Sequence, residues 1–458
     1  MRYYLLNLYL GRVAAAALLD VACFASAAVL TWVALQPPFA PLPYALWNAA
    51  AGLGLFALLY YTDAYGLTVL GSGRRTLGSV AAAGGVVLMT GLLGWLVFAP
   101  SPRLLEVAAH TAGLAFPLIL GGRLAFRVVS ARPRFSQRVL IVGASDLALA
   151  IARAVRERRN LGAEIAGFLS DDFEDQGAWL EGYPVLGPVH GIEKVLEREQ
   201  VGRVVVASKR RDEHFPAQEL LQAKLAGRRV ESGVSFYERV TGKIYLRDLR
   251  ASYLIFSPGF RNGRLSLAAK RVLDLLLAGA ALFVLWPILL VAALAVKLDS
   301  RGPAFFTQER VGRFGRTYRL YKLRSMRVDA EERSGPAWAL PDDERMTRVG
   351  RLLRKARLDE IPQLWNVIQG EMSLVGPRPE RPEFVQALSE RYPYFRARFA
   401  LPPGITGWAQ IRQGYVNDLS AWEEKLALDL YYMKYRSLSM DVLILWRTVK
   451  TVFLLNGV

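Results

Sequence analysis

Apolar residues crowd the first quarter of the chain. Four nearly unbroken apolar stretches lie at 13–35, 43–62, 77–99 and 104–122, and each approaches the ~20 residues that a helix needs to cross a bilayer. They predict a four-helix transmembrane bundle over residues 1–125; a single cleaved leader would not account for four such runs. The period then changes. Between 135 and 235 the short β-branched runs RVLIVG, IAGFLSDD and RVVVAS alternate with the helical patterns SDLALAIARAVRERR and GIEKVLERE, which predicts a parallel α/β module. A connector rich in aromatics and arginine follows at 236–264, with a composition that suits a membrane surface and an ordinary linker equally. From 265 to 458 the pattern predicts a mostly helical domain that opens on an apolar run at 272–296.

Charge sets the topology of these runs. Arg2 and Arg12 precede the first, Arg74 and Arg75 follow the second, and Arg123, Arg127, Arg132, Arg134 and Arg138 follow the fourth, whereas the alternate loops hold only Arg103. Positive residues stay inside, so the N-terminus and everything after Arg123 are expected in the cytoplasm. Asp20, Glu106 and His110 fall within or beside the apolar runs, and interhelical pairing or an interfacial position is the expected use for them. The run at 272–296 is long enough to span, at roughly 37 Å as a straight helix. Yet Arg261, Arg264, Lys270 and Arg271 precede it, and Lys297, Arg301, Arg310, Arg313 and Arg316 follow it, so both flanks prefer the cytoplasm. Pro287 removes a helix hydrogen bond past its middle. These constraints predict a re-entrant membrane helix over 268–298, bent at Trp286–Pro287, and not a fifth span.

Composition narrows the chemistry. The 458 residues carry a formal net charge of +18, which suits anionic lipid head groups and phosphorylated ligands. Nucleic acid is not an expected partner of a chain with membrane spans and no recognised binding motif. Cys23 is the only cysteine and there are three histidines, which excludes a disulfide framework and a cysteine metal site. In the α/β module the turn at Gly143 sits where a dinucleotide fingerprint would, and Asp171 or Asp172 stands where a ribose-binding acid would. Ser145 and Ala148 replace the second and third glycines, so a Rossmann-like but cofactor-free module is expected in preference to one binding NAD. The fold class is thus membrane α plus α/β.

The residues that carry chemistry lie at 358–380, LDEIPQLWNVIQGEMSLVGPRPE. Pro362 fits only a first helical turn, so Asp359 reads as an N-cap and Gly370 as the helix end. Adjacent carboxylates at a helix start point about 100° apart, which suits Asp359 and Glu360 to separate roles. By themselves they describe no more than a capped helix. Upstream, FFTQERVGRFGRTYRLYKLRSM, with Lys322 and Arg324, could cradle phosphates or bind head groups. Arg345, Arg348, Arg351, Arg354, Lys355 and Arg357 then form a cationic approach to the dyad. These arginines, the helix terminus and a divalent cation would keep a nucleophilic carboxylate ionised.

The ordered segments KLDSRGPAFFTQERVG, YKLRSM, LRKARLDEIPQLWNVIQGEMSLVGPRPE, PGITGWAQ and LDLYYMKYRSLSMD, behind a proline-broken membrane helix, closely resemble the bacterial sugar transferases. These enzymes, also called monotopic phosphoglycosyl transferases, load a polyprenyl phosphate with a hexose 1-phosphate. The upstream spans and Rossmann-like module resemble the large members, and TGKIYLRDLRASYLIFSPGF resembles the exopolysaccharide subgroup associated with PEP-CTERM systems. The resemblance implies that Asp359 attacks the β-phosphate of a UDP-sugar and releases UMP, after which undecaprenyl phosphate takes the phosphosugar, the first step of exopolysaccharide assembly. Glu360 would assist a Mg²⁺ ion, held by Asp359 and Glu360, or the incoming lipid phosphate. Arg354 and Arg378 would hold the diphosphate, with Pro377 and Pro379 orienting Arg378. Lys322, Arg324 and Gln410 are further expected substrate contacts, and Pro287 is the expected helix break. The resemblance also implies an inner-membrane protein with both soluble domains cytoplasmic, membrane lipids as partners, and a homodimer. Two departures stand out: Trp286 precedes the breaking proline, and IRQGYVNDL follows Ala409–Gln410 where many members have Val-Ser-Gly-Arg. A membrane-anchored NAD-dependent dehydratase or epimerase would need an intact glycine fingerprint and a Tyr-x-x-x-Lys pair. A non-catalytic scaffold would be expected to lack the dyad.

Overall fold

The computed structural model describes residues 4–36, scattered positions between 48 and 81, and then 102–130, 137–157, 163–172, 177–208, 215–247, 249–260, 263–328, 330, 343–413 and 421–453. The chain divides into two compact units, Met1–Thr241 and Gly242–Val458.

In the first unit the helices Tyr4–Leu35 and Pro102–Ser130 form over the first and fourth apolar stretches. They run antiparallel, because Asp20 meets Arg123 at one level while Thr31 Oγ1 lies 3.2 Å from His110 Nδ1 at another. The Arg123 guanidinium donates to both Asp20 oxygens at 2.7–3.2 Å, with each side chain almost fully buried. Asp20 and His110 therefore serve interhelical pairing, as expected, while Glu106 is exposed. Ala16, Phe24, Ala27, Ala115 and Ile119 fill the contact between the helices. The second and third apolar stretches lie mostly outside the described residues.

The α/β module is a six-stranded sheet in the order β3-β4-β2-β1-β5-β6: β1 Gln137–Val142, β2 Ala163–Leu169, β3 Trp179–Leu180, β4 Tyr183–Gly187, β5 Arg203–Val206 and β6 Arg229–Ser232. All neighbours pair in parallel except β3 with β4. Helix Asp146–Glu157 lies where the pattern places it. Gly143 has φ +100°, and a Cβ there would stand 2.7 Å from the Ser208 Cα, so close packing of the module explains this glycine. Ser145 donates its hydroxyl to the Ala207 carbonyl, and Asp171 Oδ1 accepts from the Val189 N–H at 2.8 Å. Both residues at the would-be dinucleotide positions thus bond the module's own backbone.

The second unit is mostly helical. The expected connector does not run free within it: Ile244 N–H donates to the Ala427 carbonyl, Phe260 N–H to the Lys434 carbonyl, and Trp408 Nε1 to the Gly242 carbonyl. The antiparallel hairpin of β7 Phe305–Val311 and β8 Thr317–Leu323, and the parallel pair β9 Ser373–Val375 and β10 Gly404–Thr406, complete the sheet structure. Helix Ala421–Tyr435 runs through the core, where Trp422, Leu430 and Tyr432 are nearly inaccessible.

Arg264–Asp299 is one continuous 36-residue helix with Pro287 inside it, so the expected break at Trp286–Pro287 does not interrupt the helix. An inward stripe of Lys270, Asp274, Ala278, Ala292 and Val296 is buried, whereas Phe283, Val284, Val291 and Leu294 are exposed. Near its start, Lys270 Nζ pairs with Asp441 at 2.8 Å, and Asp274 accepts from Ser373 Oγ at 2.7 Å and Leu374 N–H at 3.2 Å. At its end, Asp299 accepts from the Val349 N–H at 3.0 Å, and Arg324 donates to the carbonyls of Ser300 and Arg301. Both ends are therefore fastened to the same unit. Among the described residues, this helix and Ala15–Leu35 are long and apolar enough to cross a membrane.

Candidate functional site

The dyad does not begin a helix. Helix Arg348–Lys355, capped by the Thr347 hydroxyl through Gly350 N–H at 3.0 Å, ends shortly before Arg357. Arg357 is left-handed at φ 55°, and Leu358–Glu360 then form a single 3₁₀ turn. The next helix is Gln363–Gln369, with Pro362 at its N-cap and Gly370, φ 90°, closing it. Gly370 ends the helix as expected, but Asp359 is not its N-cap: the intervening turn takes its carboxylate off the helix terminus and into the unit. That turn is held from outside. Asn366, fully buried, accepts from Tyr321 N–H on β8 and donates to the Arg319 carbonyl, while Arg271 donates to the carbonyls of Val367 and Ile368.

Asp359 and Glu360 open into a cavity of about 470 Å³. Lys322, Arg324, Arg354, Arg378 and Gln410 also line it, so of the expected substrate contacts only Pro377 stands behind the wall. Pro377 nevertheless fixes Arg378: its carbonyl accepts from Gly404 N–H at 2.9 Å, and on the other side the Pro379 carbonyl accepts from Arg310 at 3.3 Å. Arg324 differs from expectation. It lines the cavity, but it is 5% exposed and donates to the C-terminal carbonyls of the long helix.

The two acids have unlike surroundings. Arg378 lies 2.9 Å, Lys322 3.5 Å and Arg357 3.8 Å from the Glu360 carboxylate. Burial pushes the Glu360 carboxyl up, yet these three cations outweigh it and hold it well below the usual range. Among the described residues Asp359, 6% exposed, makes no such ion pair. Burial is the largest influence on its carboxyl and raises it; Glu360 adds to the rise, while Lys322, Arg354 and Arg378 oppose it. The turn thus sets a saturated carboxylate beside a desolvated one.

Pattern reading missed the layer behind the dyad. Glu380, at the end of the proline motif, accepts from Lys425 Nζ at 2.8 Å. Arg398 pairs with Asp429 at 2.7 Å and donates to the Arg378 carbonyl at 2.9 Å. Only Lys425 and Asp429, four residues apart in the apolar stretch KLALDLYYM, signalled this layer in advance. Among the described residues no group of three or more His, Cys, Asp or Glu stands ready to hold a metal. A site here would rest on Asp359 and Glu360, and Mg²⁺ accepts one or two carboxylates when substrate phosphates complete its shell.

The parallel pair β9–β10 explains the glycines around Arg378. A Cβ on Gly404 would stand 2.1 Å from Gly376 N and 2.5 Å from the Thr406 carbonyl oxygen. Both are backbone atoms, which have no rotamer to escape into. Gly404→Ala is expected to cost about 3 kcal/mol or more in thermal unfolding and to displace Arg378. Unchanged stability would refute this packing.

Residues 265–455 match the family model described as bacterial sugar transferase. The UDP-N-acetylgalactosamine-undecaprenyl-phosphate N-acetylgalactosaminephosphotransferase of Aeromonas hydrophila is 40% identical over 218 residues, covering 47% of this chain and 50% of that protein. The UDP-glucose:undecaprenyl-phosphate glucose-1-phosphate transferase of Caulobacter vibrioides is 43% identical over 185 residues, covering 40% of this chain and 69% of its own length. A protein of the same name from Xanthomonas campestris pv. campestris is 31% identical over 329 residues, 69% of this chain and 66% of its own. The chain belongs to the bacterial sugar transferase family. It spans half the length of the first of these relatives and about two thirds of the other two.

Proposed function

We propose that this protein transfers a sugar 1-phosphate from a UDP-sugar to undecaprenyl phosphate, with Asp359 as nucleophile. The observation that carries the reading is the dyad turn, in which a buried carboxylate with no ion-pair partner among the described residues lies beside a cation-saturated one, in a cavity lined by arginine and lysine. A carboxylate oxygen of Asp359 attacks the β-phosphorus, the bond from that phosphorus to the oxygen bridging the two phosphates breaks, and UMP leaves with its electrons. An oxygen of the lipid phosphate then attacks the same phosphorus and Asp359 is released. Arg354, Arg378 and Lys322 neutralise the phosphoryl oxygens, and Glu360 holds Arg378 and Lys322 in place. Bound Mg²⁺, on Asp359 and Glu360, would add Lewis-acid neutralisation of the diphosphate.

The membrane reading rests on the long helix. Its exposed face is apolar and both of its ends grip one unit, which supports a helix that enters and leaves by the same face. A spanning helix would carry its ends to opposite sides. The antiparallel pairing of Tyr4–Leu35 with Pro102–Ser130 likewise supports an N-terminus and a Ser130 end on one side, which we take as cytoplasmic, within a multi-pass protein. The test is purified protein with undecaprenyl phosphate, Mg²⁺ and a panel of UDP-sugars, following UMP. Release with none of them defeats the proposal.

Ionised Asp359 is the reactive form, so activity should fall as pH drops through its raised pKa. The acid limb of kcat/KM is expected at higher pH than an ordinary aspartate would give. Glu360 stays charged throughout and contributes to that rise, so Glu360→Gln should slow the enzyme and move the limb to lower pH. A limb that stays in place would contradict the coupling.

A further inference from the structure

One cation beside the dyad has no task in the steps above. Arg357 follows the end of helix Arg348–Lys355 in the left-handed region, at φ 55°. Helices usually close on glycine at such a position, because glycine adopts that conformation without steric cost. An arginine there is disfavoured by its backbone and needs its side chain to offset the strain. Yet among the described residues the guanidinium donates no hydrogen bond. Its ion-pair partner, Glu360 Oε2, stands 3.8 Å away, whereas Arg378 and Lys322 approach Oε1 at 2.9 and 3.5 Å. The Arg357 side chain is 27% exposed and the residue lines the cavity, so a ligand there can reach its donors.

The course of the reaction says what those donors can bind. Lys322, Arg354 and Arg378 are the cations that act most on Asp359, so they suit the phosphoryl group bonded to it. Arg357 acts on Glu360. Other arginines lining the cavity are engaged by the protein: Arg310 donates to Gln308, Arg324 to Ser300 and Arg345 to Asp343. Phosphoryl transfer sets the entering and leaving oxygens in line through phosphorus. When Asp359 attacks, the phosphate of UMP departs from the face opposite its carboxylate. When the lipid phosphate attacks the phosphorus on Asp359, it must enter opposite that same carboxylate. One place therefore receives a departing phosphate and then an arriving one, and an uncommitted cation beside the dyad suits both.

We propose that Arg357 binds the phosphate opposite Asp359 in both half-reactions, first the α-phosphate of the nucleotide as it leaves and then the phosphate of undecaprenyl phosphate as it arrives. This rests on the two-step transfer proposed above. At 3.8 Å from Glu360 the guanidinium is too far for a hydrogen bond, so turning to a phosphate breaks none. Glu360 keeps Arg378 and Lys322 meanwhile. The planar fork of N–H donors matches two oxygens of one phosphate, which a lysine could meet only as a point charge.

The test uses the full-length protein with Mg²⁺ and the UDP-sugar it turns over, and takes the two halves apart. Without lipid, the rate of the UMP burst reads the leaving phosphate. Protein already loaded with phosphosugar, freed of nucleotide and mixed with undecaprenyl phosphate reads the arriving one. Arg357→Gln is expected to slow each half about tenfold or more and to weaken inhibition by UMP by about as much, while the size of the burst stays the same. Arg357→Lys should recover part of both rates. Arg357→Gly suits the left-handed backbone, so it is expected to keep or raise Tm and still to be as slow as the glutamine variant. Rates that fall only where Tm falls, or wild-type rates in the glutamine and glycine variants, overturn the inference. A loss confined to one half overturns the shared position and assigns Arg357 to that phosphate alone. In each of these cases the transfer reading stands, whereas failure of the wild type to release UMP from any UDP-sugar overturns both.

Discussion

Asp359→Asn is expected to lower UMP release by on the order of 10⁴-fold, with the protein still folded and still binding UDP-sugar. The magnitude follows from the kind of group being lost. Asparagine keeps the shape of the side chain but offers no anionic oxygen, so the first bond to phosphorus cannot form and only direct attack by the lipid phosphate remains. Glu360 cannot substitute, because its oxygens are engaged by Arg378, Lys322 and Arg357. A carboxylate that three cations already stabilise is a poor nucleophile, whereas one held in a desolvated site without an ion-pair partner gains more by sharing its charge with phosphorus. Wild-type protein given a UDP-sugar without lipid should also release about one UMP per active site and retain the phosphosugar on residue 359, as intact-protein mass spectrometry would read. The asparagine variant should show neither. Equal turnover by Asp359→Asn would remove the nucleophile from the mechanism and leave direct displacement in its place.

The elements that pattern reading found are those whose contacts are local. The central strands β1, β2 and β5 are short β-branched runs bounded by turns, and they sit where the alternation puts them. β3, with two residues, and the half-exposed edge strand β6, RVES, carry no apolar rhythm of their own and form only because a neighbouring strand offers backbone partners. The dyad was legible from its motif, but its conformation was not. Pro362 is compatible both with a first helical turn and with the N-cap it occupies, and the choice lies with Asn366, which is tied to the backbone of β8 more than 40 residues away. The same distance in sequence hides the layer behind the site. Lys425 and Glu380 are 45 residues apart, Arg398 and Asp429 are 31 apart, and each reads as a surface charge until its partner is known.

That hidden layer bears the largest expected effect on stability. Asp429→Ala is expected to cost the second unit about 3–5 kcal/mol, on the order of 10 °C in Tm for a unit of this size. The cost arises because Arg398 is 2% exposed and, among the described residues, the one carboxylate it would keep is Glu380, 3.8 Å away and already engaged by Lys425 at 2.8 Å. A guanidinium in that position can neither reach water nor give up its proton. If the penalty is the abandoned charge and not lost packing, removing both partners should relieve it: Asp429→Leu combined with Arg398→Met is expected to recover most of the lost Tm. Activity should not recover with it. Arg398 also donates to the Arg378 carbonyl at 2.9 Å, and without that tether the loop that aims Arg378 loses a support that Pro377 and Pro379 alone do not replace. The double variant should therefore be stable, raise KM for the UDP-sugar, and bind undecaprenyl phosphate unchanged. A double variant no more stable than Asp429→Ala would mean that shape, not charge, makes this layer necessary.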